Sequence, residues 1–214
     1  MRLPASNSRA RCRLAVALAA GLLIAVPAGA AERLPGARDK ADIARVEAYL
    51  NNIRTLRADF IQTASSGGFA EGRFHLRRPG RLRFDYSPAG TLQMFADGFW
   101  LIYVDHELEQ ITHIPLSDTP AGVLIDDDVK LSGKFRVTRI ERGPAILRVH
   151  LVRSEEADAG TLVLMLSDRP LALRQWTVID AKGIATRVTL VNPEFNVAID
   201  DRVFVFETPD WVGK

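Results

Sequence analysis

From Leu56 onward, apolar and polar residues alternate with a period of two over most of the chain. The clearest case is Arg81–Tyr86, where Leu82, Phe84 and Tyr86 share one face. Turn signals such as Pro79-Gly80 separate this segment from others of the same kind. The other predicted strands are Leu56–Thr63, Phe69–Arg77, Leu92–Ala96, Phe99–Val104, Leu108–Ile114, Phe135–Arg142, Ala145–Val152, Thr161–Ser167, Leu171–Ile179 and Ile184–Val191. Short strands at this spacing predict an antiparallel meander or barrel.

A helical period precedes the strands. Ile43, Val46, Leu50 and Ile53 recur at three- and four-residue intervals, which predicts a helix with one apolar stripe. Asp39 is the predicted N-cap of this helix. The stripe needs an apolar surface against which to pack.

A second helical segment interrupts the strands at residues 115–133. Ser117 or Asp118 is its predicted cap, and Ala121 and Val123–Ile125 form its apolar part. Two helical pieces, one before the sheet and one midway, can cover the same opening of a curved sheet.

Residues 1–30 have the composition of an export signal. Four arginines begin the chain, an apolar run extends from Leu14 to Val26, and Ala28-Gly29-Ala30 follows Pro27. An apolar run of about a dozen residues suits a signal-peptide core and is short for a membrane span. We therefore predict a cleavable signal peptide over residues 1–30 and a periplasmic protein of residues 31–214, with an uncleaved anchor as the alternative.

Removing the signal changes the charge of the chain. Residues 1–30 hold four of the 28 Lys and Arg residues and no acidic residue, which leaves 24 basic against 26 acidic residues, a net charge of −2. The charge therefore gives no reason to expect nucleic acid as a partner. Cys12, the one cysteine, also lies in the signal. An exported chain without disulfides depends on its core, and residues 31–214 suffice for a single domain.

Two predicted strands are apolar on both faces. Residues 99–103 and 161–166 have few polar positions, whereas a strand with one face in water should alternate. Packing against a helix explains the second apolar face, and so does the lining of an apolar cavity.

Several segments of the sequence stand in an order and at a spacing that are specific only when they are taken together. They are residues 56–63 (LRADFIQT), residues 72–86 (GRFHLRRPGRLRFDY), residues 97–103 with 108–111, Thr119-Pro120, and Asn196, Phe204, Phe206 and Pro209. Their order and spacing resemble the LolA family of periplasmic lipoprotein carriers, over about residues 40–210. In that comparison Asn196 to Pro209 correspond to a closing strand, and Thr119-Pro120 to the start of a lid helix.

The resemblance implies a mainly β, α+β fold: an incomplete antiparallel β-barrel, or half-barrel, with a helical lid over an apolar cavity. It implies a carrier that accepts acylated lipoproteins from an inner-membrane ABC-type lipoprotein-releasing complex. An outer-membrane receptor of the LolB type, or an equivalent, would receive them. It implies no enzyme activity and no cofactor, and we expect a monomer.

Arg78 is the residue that the resemblance singles out, because it matches the family arginine that hydrogen-bonds the lid. An arginine just before Pro79 ends a strand at the barrel rim, where its five donors can reach the carbonyls of a helix end. The alternative is a solvated arginine in a basic run with Arg77 and Arg81.

Candidate cavity residues follow from the same comparison and from alternation. Each can equally be plain core, although methionine and large aromatic residues suit adaptable apolar surfaces. The candidates are Leu82, Phe84, Met94, Trp100 and Ile102 from the strands, and Val123, Leu124 and Ile125 from the lid.

Other chemistries find little support in the sequence. The four histidines form no HExxH pair, no G-x-S-x-G elbow is present, and Asp126-Asp127-Asp128 lacks the spacing and glycine of an EF-hand. No catalytic or metal site is therefore predicted. A carrier of another lipid or glycolipid and a half-barrel lipid-sensing regulatory module remain alternatives, with an exported hydrolase more distant.

Overall fold

The eleven predicted strand segments form eleven strands of one antiparallel sheet in the computed structural model. The strands are β1 (Thr55–Ala64), β2 (Phe69–Arg77), β3 (Arg81–Tyr86), β4 (Leu92–Asp97), β5 (Trp100–Asp105), β6 (Gln110–Pro115), β7 (Phe135–Arg142), β8 (Ile146–Arg153), β9 (Gly160–Asp168), β10 (Leu171–Asp180) and β11 (Ala185–Phe195). Their order in the sheet is β6-β5-β4-β3-β2-β1-β11-β10-β9-β8-β7. Only the β1–β11 pair joins strands that are distant in sequence.

The structure describes residues 36–116 and 119–212. The predicted signal peptide and the predicted caps Ser117 and Asp118 lie outside the described residues. No helix within the described ranges is long and apolar enough to cross a membrane.

The sheet is strongly curved. Strands β3 and β10 are four strand spacings apart, roughly 19 Å in a flat sheet. Nevertheless, the rings of Phe84 on β3 and Trp176 on β10 have centroids only 6.3 Å apart. The inner face of the curve holds the main hydrophobic core. Strands β6 and β7 are the two ends of the sheet order and do not pair with each other, so the prediction of an incomplete barrel is confirmed.

Helix α1 (Ala37–Asn51) covers part of the inner face. Val46 and Leu50 on its apolar stripe are fully buried, as the periodicity predicts. The predicted N-cap at Asp39 is wrong, because Gly36 occupies that position. The Asp39 carboxylate instead accepts the Gly36 N–H at 3.1 Å from the first turn, where an acid favours the helix dipole.

Residues 197–212, here called the C-terminal strap, cross the outer face of the sheet. The closing strand expected at Asn196 to Pro209 is wrong. Asn196 takes a positive φ of 57° directly after β11, and its side chain accepts the Arg54 N–H at 2.8 Å and donates to the Asn52 carbonyl at 3.0 Å. These bonds turn the chain out of the sheet.

Two arginines hold the strap to β2 and β3. Arg77 donates to the Ile199 carbonyl and to the Asp201 carboxylate, and Arg83 donates to the Val203 carbonyl at 3.0 Å. Phe206 and Trp211 then pack on a second apolar cluster formed by Phe95, Ile102, Val104 and Ile111. The strap therefore gives the outer face of β4–β6 an apolar core of its own.

Replacing Phe206 by alanine is expected to lower the free energy of unfolding by about 2 kcal/mol, below the usual cost for a fully buried phenylalanine because this side chain is half-buried. Urea unfolding measures the change. Val205→Ala is the matched control, since Val205 is 53% exposed and should change stability by less than about 0.5 kcal/mol. Equal effects of the two substitutions would contradict the packing role of the strap.

Candidate functional site

An aromatic cluster lines the inner face of the sheet. The ring of Phe74 lies 4.5 Å from that of Phe84 and 5.4 Å from that of Trp176, and Phe60 makes edge contacts with Phe84 and Tyr86 at 5.0 and 5.2 Å. Such offset and edge contacts add to the stabilisation from burial. The result is a continuous apolar wall contributed by β1, β2, β3 and β10.

The polar group on this wall is satisfied locally. The Tyr86 hydroxyl donates to the Gln62 side-chain oxygen at 3.0 Å. Burial raises the pKa of Tyr86 to about 12, so the hydroxyl keeps its proton at neutral pH. The wall therefore presents no charge toward the interior at this point.

The space between the aromatic cluster and the C-terminal end of α1 is small. A cavity of about 10 Å³ remains, lined by Leu50, Ile53, Leu56, Phe74, Leu76, Arg78, Leu124, Leu173 and Trp176. A volume of this size corresponds to about one water molecule. A long apolar ligand can therefore enter only if part of the lining moves.

Six of the eight predicted cavity residues belong to this core. Leu82 and Phe84 are each 6% exposed, and Met94 packs against the same cluster. Val123, Leu124 and Ile125 are buried in the segment that covers it. Whether these residues contact a ligand stays a prediction.

The assignment of Trp100 and Ile102 to the inner face is wrong. Strand pairing places Ile102 opposite Phe95 and Leu101 opposite Ala96. Ile102 therefore belongs to the outer cluster, and Trp100 is 44% exposed. Alternation could not decide between the faces of β5, because the C-terminal strap makes the outer face apolar as well.

Several interior residues were not singled out from the sequence. Phe60, Phe74, Leu173 and Trp176 line the wall or the residual cavity. Alternation along their strands marks the buried face, but it does not distinguish core from ligand-binding surface. Only the curvature of the sheet brings β2 and β10 together.

Residues 119–131, here called the lid segment, cover the interior beside α1. The predicted lid helix is a short 3-10 helix, Pro120–Leu124, and the chain beyond it is irregular. Val129 and Leu131 in that irregular part are each 1% exposed. The lid segment therefore covers more of the core than the predicted helix alone.

Arg78 connects the sheet to both covering elements. Its side chain is 7% exposed; Nε donates to the Leu124 carbonyl at 2.8 Å, and Nη1 donates to the Leu50 carbonyl near the C-terminal end of α1. The Gly80 N–H also donates to the Ile125 carbonyl at 2.7 Å. A solvated arginine at this position is thereby ruled out for the structure described here.

The buried charge of Arg78 works against closure. Burial, together with the charge of Arg54, lowers its pKa from 12.5 to about 10, and Asp126 and Asp127 act in the opposite direction. Because the pKa in the folded state lies below the unfolded value, the charge costs stability at every pH below about 10. Hydrogen bonds to two carbonyls offset this cost.

A second set of bonds joins the lid segment to α1. The Asn51 amide donates to the Val129 carbonyl at 3.0 Å and accepts the Val129 N–H at 2.7 Å. Glu47 accepts the Leu131 N–H at 2.7 Å. The lid segment is therefore attached to the helix through contacts that do not involve Arg78.

Comparison with known proteins identifies the family of this chain. The sequence model of the family described as "Outer membrane lipoprotein carrier protein LolA" matches residues 51–207. The chain belongs to the LolA family. It is 29% identical over 188 residues to the outer-membrane lipoprotein carrier protein of Pseudomonas paraeruginosa, covering 84% of this chain and 89% of that protein. It is also 29% identical over 175 residues to the carrier of Methylococcus capsulatus, covering 77% and 83%.

Similar solved structures have low sequence identity to this chain. A DUF1329-family protein from Desulfovibrio piger superposes with a TM-score of 0.51 at 11% identity, over 78% of this chain and 96% of that one. A LolA-superfamily protein from Nitrosomonas europaea gives a TM-score of 0.43 at 8% identity, over 77% and 97%. The first of these likenesses supports the fold and no more.

In this LolA-family chain, Asn51→Ala is expected to loosen the lid segment without unfolding the sheet. Loss of two hydrogen bonds to Val129 costs about 2 kcal/mol, so amide exchange at residues 129–131 should become roughly thirtyfold faster. Hydrogen exchange read by mass spectrometry measures it. Asn52→Ala is the control, since the Asn52 side chain is exposed. Unchanged exchange in Asn51→Ala would contradict the attachment described above.

Proposed function

We propose that the protein is a periplasmic carrier that shields the acyl chains of lipoproteins. In this role it accepts lipoproteins released from the inner membrane by an ABC-type complex and delivers them to the outer membrane, to a LolB-type receptor or an equivalent. The role involves no covalent chemistry. The observation that carries the proposal is an apolar interior closed by a buried arginine that bonds both covering elements.

The chemistry of the cargo explains why a carrier is needed. Each acyl methylene in water costs roughly 0.8 kcal/mol, so several chains cannot cross an aqueous compartment uncovered. The inner face offers an aromatic and aliphatic wall against which they can pack. The export signal predicted at residues 1–30 would place the carrier in that compartment.

The carrier must also release its acylated cargo. A preformed apolar cavity would hold acyl chains too tightly for onward transfer. Here the cavity lined by residues of the wall, α1 and the lid segment has a volume of only about 10 Å³, so loading at this place has to replace contacts between these elements. Those regained contacts then offset part of the binding energy when cargo leaves.

The direct test is loading. Residues 31–214, the predicted mature chain, are incubated with spheroplasts that are making lipoproteins, and the supernatant is analysed by size exclusion and mass spectrometry. We expect a soluble one-to-one complex with an intact acylated lipoprotein. A bound glycolipid or other lipid in its place would move the function to a different cargo, and a chain that stays empty would contradict carriage altogether.

Arg78→Leu is expected to load cargo but to deliver it poorly. Each hydrogen bond from the buried guanidinium is worth about 1.5–3 kcal/mol, and losing them removes a driving force for closing after release. Transfer from the purified complex to acceptor membranes should therefore slow by roughly ten- to a hundredfold.

Arg81→Leu is the matched control for that experiment. Arg81 begins β3 only three positions after Arg78 but is exposed, so its loss should leave transfer unchanged. Normal transfer by Arg78→Leu, or equal loss in both variants, would count against the role proposed for Arg78.

A further inference from the structure

The turn between β4 and β5 carries two adjacent exposed aromatic residues. Phe99 is 81% exposed, more than any other large apolar residue in the described ranges, and Trp100 is 44% exposed. These two residues are here called the aromatic tip. Exposing them costs solvation free energy that a simple turn sequence would avoid.

The backbone of the aromatic tip is fixed in place. The Asp97 carboxylate accepts the N–H groups of both Phe99 and Trp100 at 2.8 Å. The Phe99 carbonyl accepts the Leu116 N–H at 2.9 Å, and the Trp100 ring contacts His113 edge-on at 6.1 Å. The exposure of Phe99 therefore belongs to an ordered turn.

The aromatic tip stands beside the cover of the interior. A Cβ atom on Gly80 would lie 2.7 Å from the Cα of Gly98, so the two turns touch, and the Gly80 N–H is bonded to Ile125 of the lid segment. Phe99 also borders a groove of about 590 Å³ that Leu116, Gly122 and Phe135 help to line. The tip is thus adjacent to the turn that bonds the lid segment.

The size and chemistry of the tip favour a membrane surface as its partner. Two aromatic side chains offer at most about 500 Å², well below the roughly 800 Å² per partner in a stable protein interface. A bilayer needs no matching shape, and tryptophan partitions to the headgroup boundary. We propose that the aromatic tip docks the carrier on phospholipid bilayers by inserting at the boundary between headgroups and acyl chains.

Charge near the tip predicts the kind of membrane binding. The groove carries Lys134 and Arg153, but also Asp126 and Glu155, and residues 31–214 have a net charge of −2. Docking should therefore depend on aromatic insertion rather than on anionic lipids. Vesicles of phosphatidylcholine alone should bind as well as vesicles containing phosphatidylglycerol, with little dependence on salt.

The experiment measures partition of residues 31–214 onto vesicles of these two compositions by co-sedimentation. Acyl-chain-brominated phosphatidylcholine additionally reports tryptophan insertion by fluorescence quenching, and Trp100→Phe should abolish the quenching that wild type shows. The double variant Phe99→Ser/Trp100→Ser should partition at least tenfold more weakly. Unchanged thermal unfolding and circular dichroism show that the variant has folded.

Phe69→Ser is the matched control, because Phe69 is 67% exposed but lies at the start of β2, away from the lid segment. It should bind vesicles like wild type. Absence of wild-type binding, wild-type binding by the double variant, or equal loss in Phe69→Ser would overturn the proposal. So would a double variant that binds vesicles normally yet fails to pass cargo on, since that result assigns the tip to a protein partner.

The biological use of this contact rests on the proposed carrier function, but the measurement does not. The vesicles contain no lipoprotein, so bilayer docking can succeed where lipoprotein loading fails. Loading in the spheroplast experiment with no vesicle binding would overturn the docking proposal alone.

Discussion

An antiparallel sheet that curves without closing has a concave face, and when that face is apolar its exposure to water costs free energy. In this protein that face carries Phe60, Phe74, Phe84 and Trp176, and the whole arrangement of the molecule depends on what lies against it. Helix α1 and the lid segment cover it in the structure described here. The cavity between the wall and this cover at Leu124 has a volume of only about 10 Å³, which leaves little room there for a further group. A carrier built on this constraint exchanges one apolar cover, its own, for another, the cargo.

The polar bonds of the cover decide how easily that exchange occurs. Arg78 holds the lid segment and α1 to the β2–β3 turn, at the cost of a charge buried in apolar surroundings. Asn51 and Glu47 hold the lid segment to α1 instead. Loss of the Arg78 bonds alone would leave these two elements joined to each other. Arg142 of β7, which donates to Asp39 and Asp42, would still hold α1 to the sheet.

Sequence patterns predicted the sheet better than the site. Period-two alternation located the strands because most of them have one face in the core, and the apolar stripe located α1. Alternation failed where a strand is covered on both faces, so Trp100 and Ile102 were assigned to the wrong side. The strap that covers the outer face comes from residues 197–212, about a hundred positions after β5. No local sequence pattern predicts such a contact.

The role of Arg78 illustrates the same limit. Its sequence neighbourhood, with Arg77 and Arg81, is typical of an exposed basic turn. The resemblance to the LolA family favoured a contact with the lid instead. Burial and the two carbonyl partners come from elements 28 and 46 positions away. The bonds between α1 and the lid segment span 78 and 84 positions and had no signal in the sequence.

If cargo and cover compete for the same apolar face, loading must change a distance between the lid segment and the sheet, and that distance can be measured. Residues 31–214 contain no cysteine, so Lys130→Cys and Ser87→Cys can carry a pair of spin labels at exposed positions of the lid segment and the β3–β4 loop. Ser87→Cys with Lys182→Cys provides a reference pair away from the lid segment. On binding a triacylated lipopeptide, we expect the distance between the labels at positions 130 and 87 to become longer and more broadly distributed, and the reference distance to stay unchanged. A bound lipopeptide with no change in the Lys130–Ser87 distance would contradict it.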